Sequence, residues 1–196
     1  MKRIQRIKLP LVLTALVVLS GCVAGQSIRM DYKKPDGGNN MLRGSASVVV
    51  DDNRSFIKNR SKSPAYIGHF RAALGNTWGV TTYKSEPLAK KMQKDLAIDL
   101  GAMGLDTTRG GNRSIHVSIE DWNFDAYTNA RFWYEIKITV KNGTKVVKDV
   151  LKGEQTIKGS VMTGPKNAVK RELPIAYNSI IRKIARKNPK ILAALK

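Results

Sequence analysis

The only cysteine of the chain, Cys22, follows directly on the apolar run Leu9–Leu19, and that position decides how the rest must fold. With no second cysteine, no intramolecular disulfide can form. A domain built from the remaining sequence must hold together by packing alone. The segment before Cys22 has three parts. Lys2, Arg3, Arg6 and Lys8 make a basic start without an acidic residue; Leu9 to Leu19 is apolar apart from Thr14; Ser20 and Gly21 are small. A run of about 11 residues is too short to cross a hydrocarbon core as a helix, which takes roughly 20. Basic end, short apolar core and small residues together describe an export signal.

Leu19-Ser20-Gly21-Cys22 resembles the bacterial lipobox, matched at all four positions. The resemblance implies that residues 1–21 are a lipoprotein signal peptide and that Cys22 is the site of lipid attachment. Its sulfur would carry a diacylglycerol and its amine, freed by cleavage, an acyl chain. Two or more chains anchor a protein stably where one does not. Val23 stands where an aspartate is associated with inner-membrane retention in enteric bacteria, so the expected location is the outer membrane, with the domain in the periplasm.

Cleavage would remove four basic residues and leave 175 residues with 31 Lys+Arg against 15 Asp+Glu, a formal charge of +16. Such a chain suits an acidic partner. For an exported lipoprotein the near candidates are anionic lipid, lipopolysaccharide phosphates and peptidoglycan carboxylates. No compact nucleic-acid motif occurs among the basic residues, and no nucleic-acid partner is expected.

Residues 22–44 read as a flexible tether, because Lys33 to Asn40 is a cluster of turn formers. Residues 45–196 read as a single periplasmic α/β domain. Ala46–Val50 is an expected buried strand ended by Asp51-Asp52-Asn53, and residues 54–64 an expected loop. Tyr66–Phe70 and Val80–Tyr83 are further candidate strands. Leu88, Met92, Leu96, Leu100 and Met103 recur at helical spacing, with Ser85 as candidate cap. Ile115, Val117 and Ile119 alternate with polar residues, as do Phe132, Tyr134, Ile136, Ile138 and Val140. Asn142-Gly143 then matches a two-residue hairpin turn. The return strand runs from Lys145 towards Gly159 with its phase open, and Gly153 reads as a bulge. A last helix starts near Pro165 or Pro174, with Tyr177, Ile180, Ile181 and Ile184 on one face and Arg182, Lys183, Arg186 and Lys187 opposite. The fold expected is one mixed, mainly antiparallel sheet with two helices packed on one face.

Catalytic chemistry finds little to stand on. His69 and His116 are the only histidines, and neither has a second His or Cys at metal-ligand spacing. No metal or cofactor is expected. Glu120, Asp121 and Asp125 flank Trp122 and Phe124, a sugar-site pattern that reads more simply as solvated acids at a strand end. Trp78, flanked by glycines, is the best candidate for an exposed contact residue, with a buried lid residue as the equal alternative.

The order of these elements resembles the YajG-like family of small bacterial lipoproteins. The carriers are the lipobox, a Val-rich strand ending in Asp, a helix ending in Gly104-Leu105, the Ile115-x-Val117-x-Ile119 strand, the Asn142-Gly143 hairpin and a C-terminal helix with Tyr177-Asn178-Ser179-Ile180-Ile181. The auxiliary lipoproteins of lipid-transporting ABC systems have a similar layout. The resemblance carries over no enzymatic activity, and with no catalytic set among the residues the expected role is a non-catalytic accessory or binding subunit of an envelope assembly, with an envelope protein as partner. The alternative is a binder of anionic envelope polymer through its basic surface. Cys22→Ala should leave the precursor uncut and without lipid. Mass spectrometry of the mature N-terminus checks this, and an unmodified Cys22 or a cut elsewhere would contradict it.

Overall fold

The computed structural model describes residues 26–34, 41–71, 76–159 and 164–196. The signal segment and Cys22 lie outside the described residues. In chain order the elements are β1 (Gln26–Ile28), β2 (Ser47–Asp52), α1 (Ser55–Lys58), β3 (Tyr66–Arg71), β4 (Thr77–Thr82), α2 (Leu88–Ala102), β5 (Arg113–Ala126), β6 (Ala130–Asn142), β7 (Lys145–Ile157), α3 (Lys166–Ala185) and α4 (Pro189–Leu195). All seven strands join one open mixed sheet in the order β1-β4-β3-β5-β6-β7, with β2 also paired to β5. Helices α2 and α3 pack on its apolar side, and α4 adds a third helix against β6 and β7.

The two longest antiparallel pairs follow the alternation of the sequence. Ile115, Val117, Ile119, Trp122 and Phe124 of β5 are buried beside Phe132, Ile136, Ile138 and Val140 of β6. A register shift between Ile119 and Asp121 explains why the period breaks at Glu120. Gly143 turns the hairpin at φ 57°, a left-handed value that glycine adopts without strain. On β7, Val147 and Leu151 turn towards the helices while Val146 and Val150 face water. Gly153 is no bulge: pairing runs without a shift through Tyr134↔Gly153. A Cβ there would come within 2.5 Å of the Tyr134 hydroxyl, so the glycine makes room for that ring.

Helix α2 buries the expected stripe of Leu88, Met92, Leu96 and Leu100, with Met103 just beyond its end. Ser85 does not cap it. That residue belongs to a 3-10 turn, Tyr83–Ser85, and the helix starts behind Pro87 without a side-chain cap. Helix α3 starts after Pro165 and carries Pro174 inside it.

Two expectations are corrected. Residues 22–44 are not a free tether, because much of the segment is built into the fold. β1 pairs in parallel with β4 through Gln26↔Val80 and Ile28↔Thr82. Ile28, Met30 and Leu42 are each at most 2 % exposed, and the Leu42 amide donates to the Met103 carbonyl at 2.9 Å. Burying three large apolar side chains outweighs the local preference of the polar residues around them. Residues 35–40, the turn-forming cluster, lie outside the described residues.

The second correction concerns residues 54–64, read as loop. α1 lies within them, and Arg54 just before it is fully buried. β2 and β3 both run parallel to β5 on the same edge, β2 along Ser114–Ile119 and β3 at Asp125–Ala126. Arg54 fills the gap between them. Its guanidinium holds both carboxylate oxygens of Asp52, at 2.7 and 2.6 Å. It also donates to the carbonyls of Tyr66 (2.6 Å), Pro64 (3.2 Å) and Trp122 (3.4 Å). Arg54→Ala would strand Asp52 and the carbonyls of Tyr66 and Trp122, at a cost of about 3–5 kcal/mol, while the Pro64 carbonyl keeps the Leu88 amide at 3.1 Å. Arg54→Lys keeps the charge but loses the paired geometry, so it should fall between wild type and Ala. Denaturant unfolding checks the order; equal stability of all three would contradict the assignment.

Candidate functional site

Helix α3 faces the core with Val169, Leu173, Tyr177, Ile180, Ile181 and Ile184. Its other side meets the N-terminal arm that leaves β1. Asn178 ties the two together: its Oδ1 accepts from the Lys33 amide at 2.8 Å, and its Nδ2 donates to the carbonyls of Asp31 (2.9 Å) and Pro174 (2.8 Å). Arg182 adds a bond to the Lys33 carbonyl at 3.1 Å.

Arm and helix leave between them a groove of about 550 Å³. Its cations are Lys33, Lys170, Arg171, Arg182 and Lys187; its apolar floor is Pro174 and Ile175; Asp31 is its single carboxylate. Ile175 is 59 % exposed, an unusual investment for an isoleucine ringed by cations. Pro174 has no N–H to offer the Lys170 carbonyl four residues earlier, so that acceptor is left without its helical partner.

Behind the groove, α2 and α3 meet through a polar seam. Tyr177 donates to Asp95 at 2.6 Å, Lys91 approaches the same carboxylate at 3.1 Å, and Arg186 donates to Asp99 at 2.5 Å. Burial, reinforced by the Asp95 charge, pushes the Tyr177 hydroxyl well above its usual range, so it stays a donor. Burial likewise pushes Tyr32 up to about 12, with the nearby Asp99 adding to the effect.

The four cations expected opposite the apolar face of the last helix therefore divide. Arg186 turns into the seam and is structural, and Arg182 is half-buried holding the arm. Lys183 and Lys187 are exposed. Asp95 and Asp99 escaped the sequence reading, although both fall beside the Met92/Leu96/Leu100 stripe, four residues apart.

The other sequence candidates are engaged elsewhere. Trp122 and Phe124 point into the core, while Asp121 takes a bond from Trp133 Nε1 at 2.8 Å, Asp125 pairs with Arg71 and Glu120 with Lys137. Acids and aromatics thus part to opposite faces of β5, and no sugar platform forms. Trp78 is half-buried against the core rather than presented as a contact residue. His116 bonds Asp51 at 2.6 Å at the surface. His69 sits between Tyr66, 3.0 Å from its Nδ1, and Asp125, 3.2 Å from its Nε2. Among the described residues, no group of three or more His, Cys, Asp or Glu is placed to hold a metal ion. None of the described helices is long and apolar enough to cross a membrane.

No protein-family model matches the chain, and no curated protein matches it. Solved structures do. A crystal structure of a Xanthomonas campestris protein described under the family DUF330 superposes with a TM-score of 0.54 at 8 % identity, covering 86 % of this chain and 95 % of that one. Another crystal structure, of an uncharacterized protein, gives 0.46 at 13 % identity, covering 83 % and 99 %. At 8 % identity, the likeness to the Xanthomonas protein is one of fold.

His69 generates a pH prediction. Burial holds its pKa below the ordinary 6.5, against the pull of Asp125 and with the help of Arg71 and Lys62. Below 6.5 the unfolded chain therefore takes up the proton first, and stability falls as pH drops through 6.5 towards the folded value. His69→Gln should remove this part of the acid sensitivity. Thermal midpoints measured between about pH 7.5 and 5.5 check it; identical slopes for both proteins would contradict it.

Proposed function

We propose that this protein is a lipid-anchored envelope lipoprotein of the YajG-like kind, held by Cys22 in the outer membrane with its domain in the periplasm. It acts as a non-catalytic accessory or binding subunit of an envelope assembly. The observation that carries the reading is the groove on α3. Its wall is the arm that leads back to Cys22, so the anchor and the binding surface belong to the same stretch of chain. An exposed isoleucine on a groove floor suits a partner with an apolar contact, and the arginines around it suit an interface rim.

The charge distribution favours one second reading, a binder of anionic envelope polymer. Elsewhere on the sheet the basic residues are answered by acids: Arg131 by Glu154, Lys152 by Glu135, Lys137 by Glu120. Around the groove Glu172 answers Arg171, while Lys33, Lys170, Arg182 and Lys187 stand against Asp31.

A photo-crosslinker at Ser179, in the groove wall, separates these readings in intact envelopes. A discrete protein adduct whose capture survives high salt supports the assembly subunit, because an apolar interface centre is not screened. Capture of polymer that collapses as salt rises supports the second reading. Equal capture from Ser179 and from Thr144, on the distant hairpin, would contradict a role for the groove.

A further inference from the structure

The groove combines three things that a plain protein rim does not require together: a cluster of cations, an exposed aliphatic floor and a helix carbonyl stripped of its donor. From this we infer that the groove binds a phosphate-bearing amphiphile, with the phosphate among Lys33, Lys170, Arg182 and Lys187 and an alkyl segment along Pro174 and Ile175. The inference rests on the binding reading above and names the ligand class of that site.

Charge complementarity comes first. Arginine and lysine side chains recognise phosphate by charge-assisted hydrogen bonds, and arginine can do so with two parallel donors. Arg182 is already held in place by the Lys33 carbonyl and needs little further ordering to bind.

The apolar part follows from Ile175. An aliphatic side chain 59 % exposed between Lys170, Arg171 and Ser179 gains nothing from water, whereas an alkyl chain laid over it removes apolar area from solvent. Pro174 interrupts the hydrogen bonding of the helix interior, and at this place it frees the Lys170 carbonyl. That carbonyl can accept from a hydroxyl or ammonium of a head group. A groove of about 550 Å³ accommodates a head group with a short length of chain, not a whole diacyl lipid.

Position agrees. The groove wall, Asp31–Lys33, is separated from Cys22 by eight to ten residues, and from Cys22 to Gln26 an extended chain reaches at most about 14 Å. A groove beside a wall so closely tied to the anchor stays near the bilayer surface, where phosphate amphiphiles are concentrated.

The test uses the chain from residue 22 with Cys22→Ser, which keeps every described residue and carries no acyl chain of its own. The probe is dihexanoyl phosphatidic acid below its micelle concentration, titrated calorimetrically, beside glycerol phosphate and the matching diacylglycerol. The amphiphile should bind at least about tenfold more tightly than either half-probe, since each lacks one of the two contacts. Ile175→Asp should abolish that preference with an unchanged unfolding midpoint, because the position is exposed. Lys170→Gln with Lys187→Gln should weaken binding and flatten its salt dependence. Absence of binding, equal binding of glycerol phosphate, or wild-type behaviour of Ile175→Asp would each overturn the inference. Those results would leave a protein partner crosslinked at Ser179 untouched, so the two readings fail separately.

Discussion

A parallel strand laid end to end with another along one neighbour leaves a gap, and in this protein Arg54 fills it. β5 carries β2 on one half of an edge and β3 on the other. Around the gap the carbonyls of Tyr66 and Trp122 accept from Arg54, and that of Pro64 is shared between Arg54 and the Leu88 amide. A buried arginine is costly unless its donors are used. Arg54 uses them on Asp52 and on those carbonyls, and its plane lies 5.1 Å from the Phe56 ring centroid. Much hangs on this junction. β3 carries β4, β4 carries β1, and β1 leads into the arm that walls the groove. Loosening Arg54 would loosen the groove at a distance.

The same chain of contacts changes what a lipid anchor at Cys22 would do. A long free linker lets a domain roam, and its effective reach grows with length. Here the first described strand, β1, starts at Gln26, and an anchor at Cys22 would be joined to it by only three intervening residues. The acids are spent mostly on ion pairs across the outer sheet face and in the seam, where Asp99 is fully buried against Arg186. The excess of lysine and arginine is left to gather where acids are scarce, and the groove is one such place.

Much of the sheet was legible because its signals are local. Alternation in β5 and β6, the Asn142-Gly143 turn and the four-residue beat of α2 need no knowledge of distant partners. The features that were not legible are those whose reason lies far away in sequence. Ile28, Met30 and Leu42 are single apolar residues in a polar stretch, and only β4 and the end of α2 make them core. Arg54 looks like any loop arginine until β2 and β3 meet on β5. Asp95 and Asp99 look like the wet side of a helix until Tyr177 and Arg186 cover them. The groove itself could be half-read: its cations on α3 were visible, but Arg186 belonged to the seam and the second wall came from the supposed tether.

Residues 26–34 and 41–44 belong to the folded body, so that arm, groove and core form one unit. Denaturant unfolding of chains beginning at residue 22 and at residue 44 tests it most directly, with Cys22→Ser in the longer chain. Removing Ile28, Met30 and Leu42 forfeits about 1.5–3 kcal/mol of burial for each, a large part of the roughly 5–15 kcal/mol that holds a domain of this size. A cooperative transition is expected for the longer chain and a strongly destabilised or uncooperative one for the shorter. Coincident unfolding curves would show that the arm is only a tether and would contradict the account.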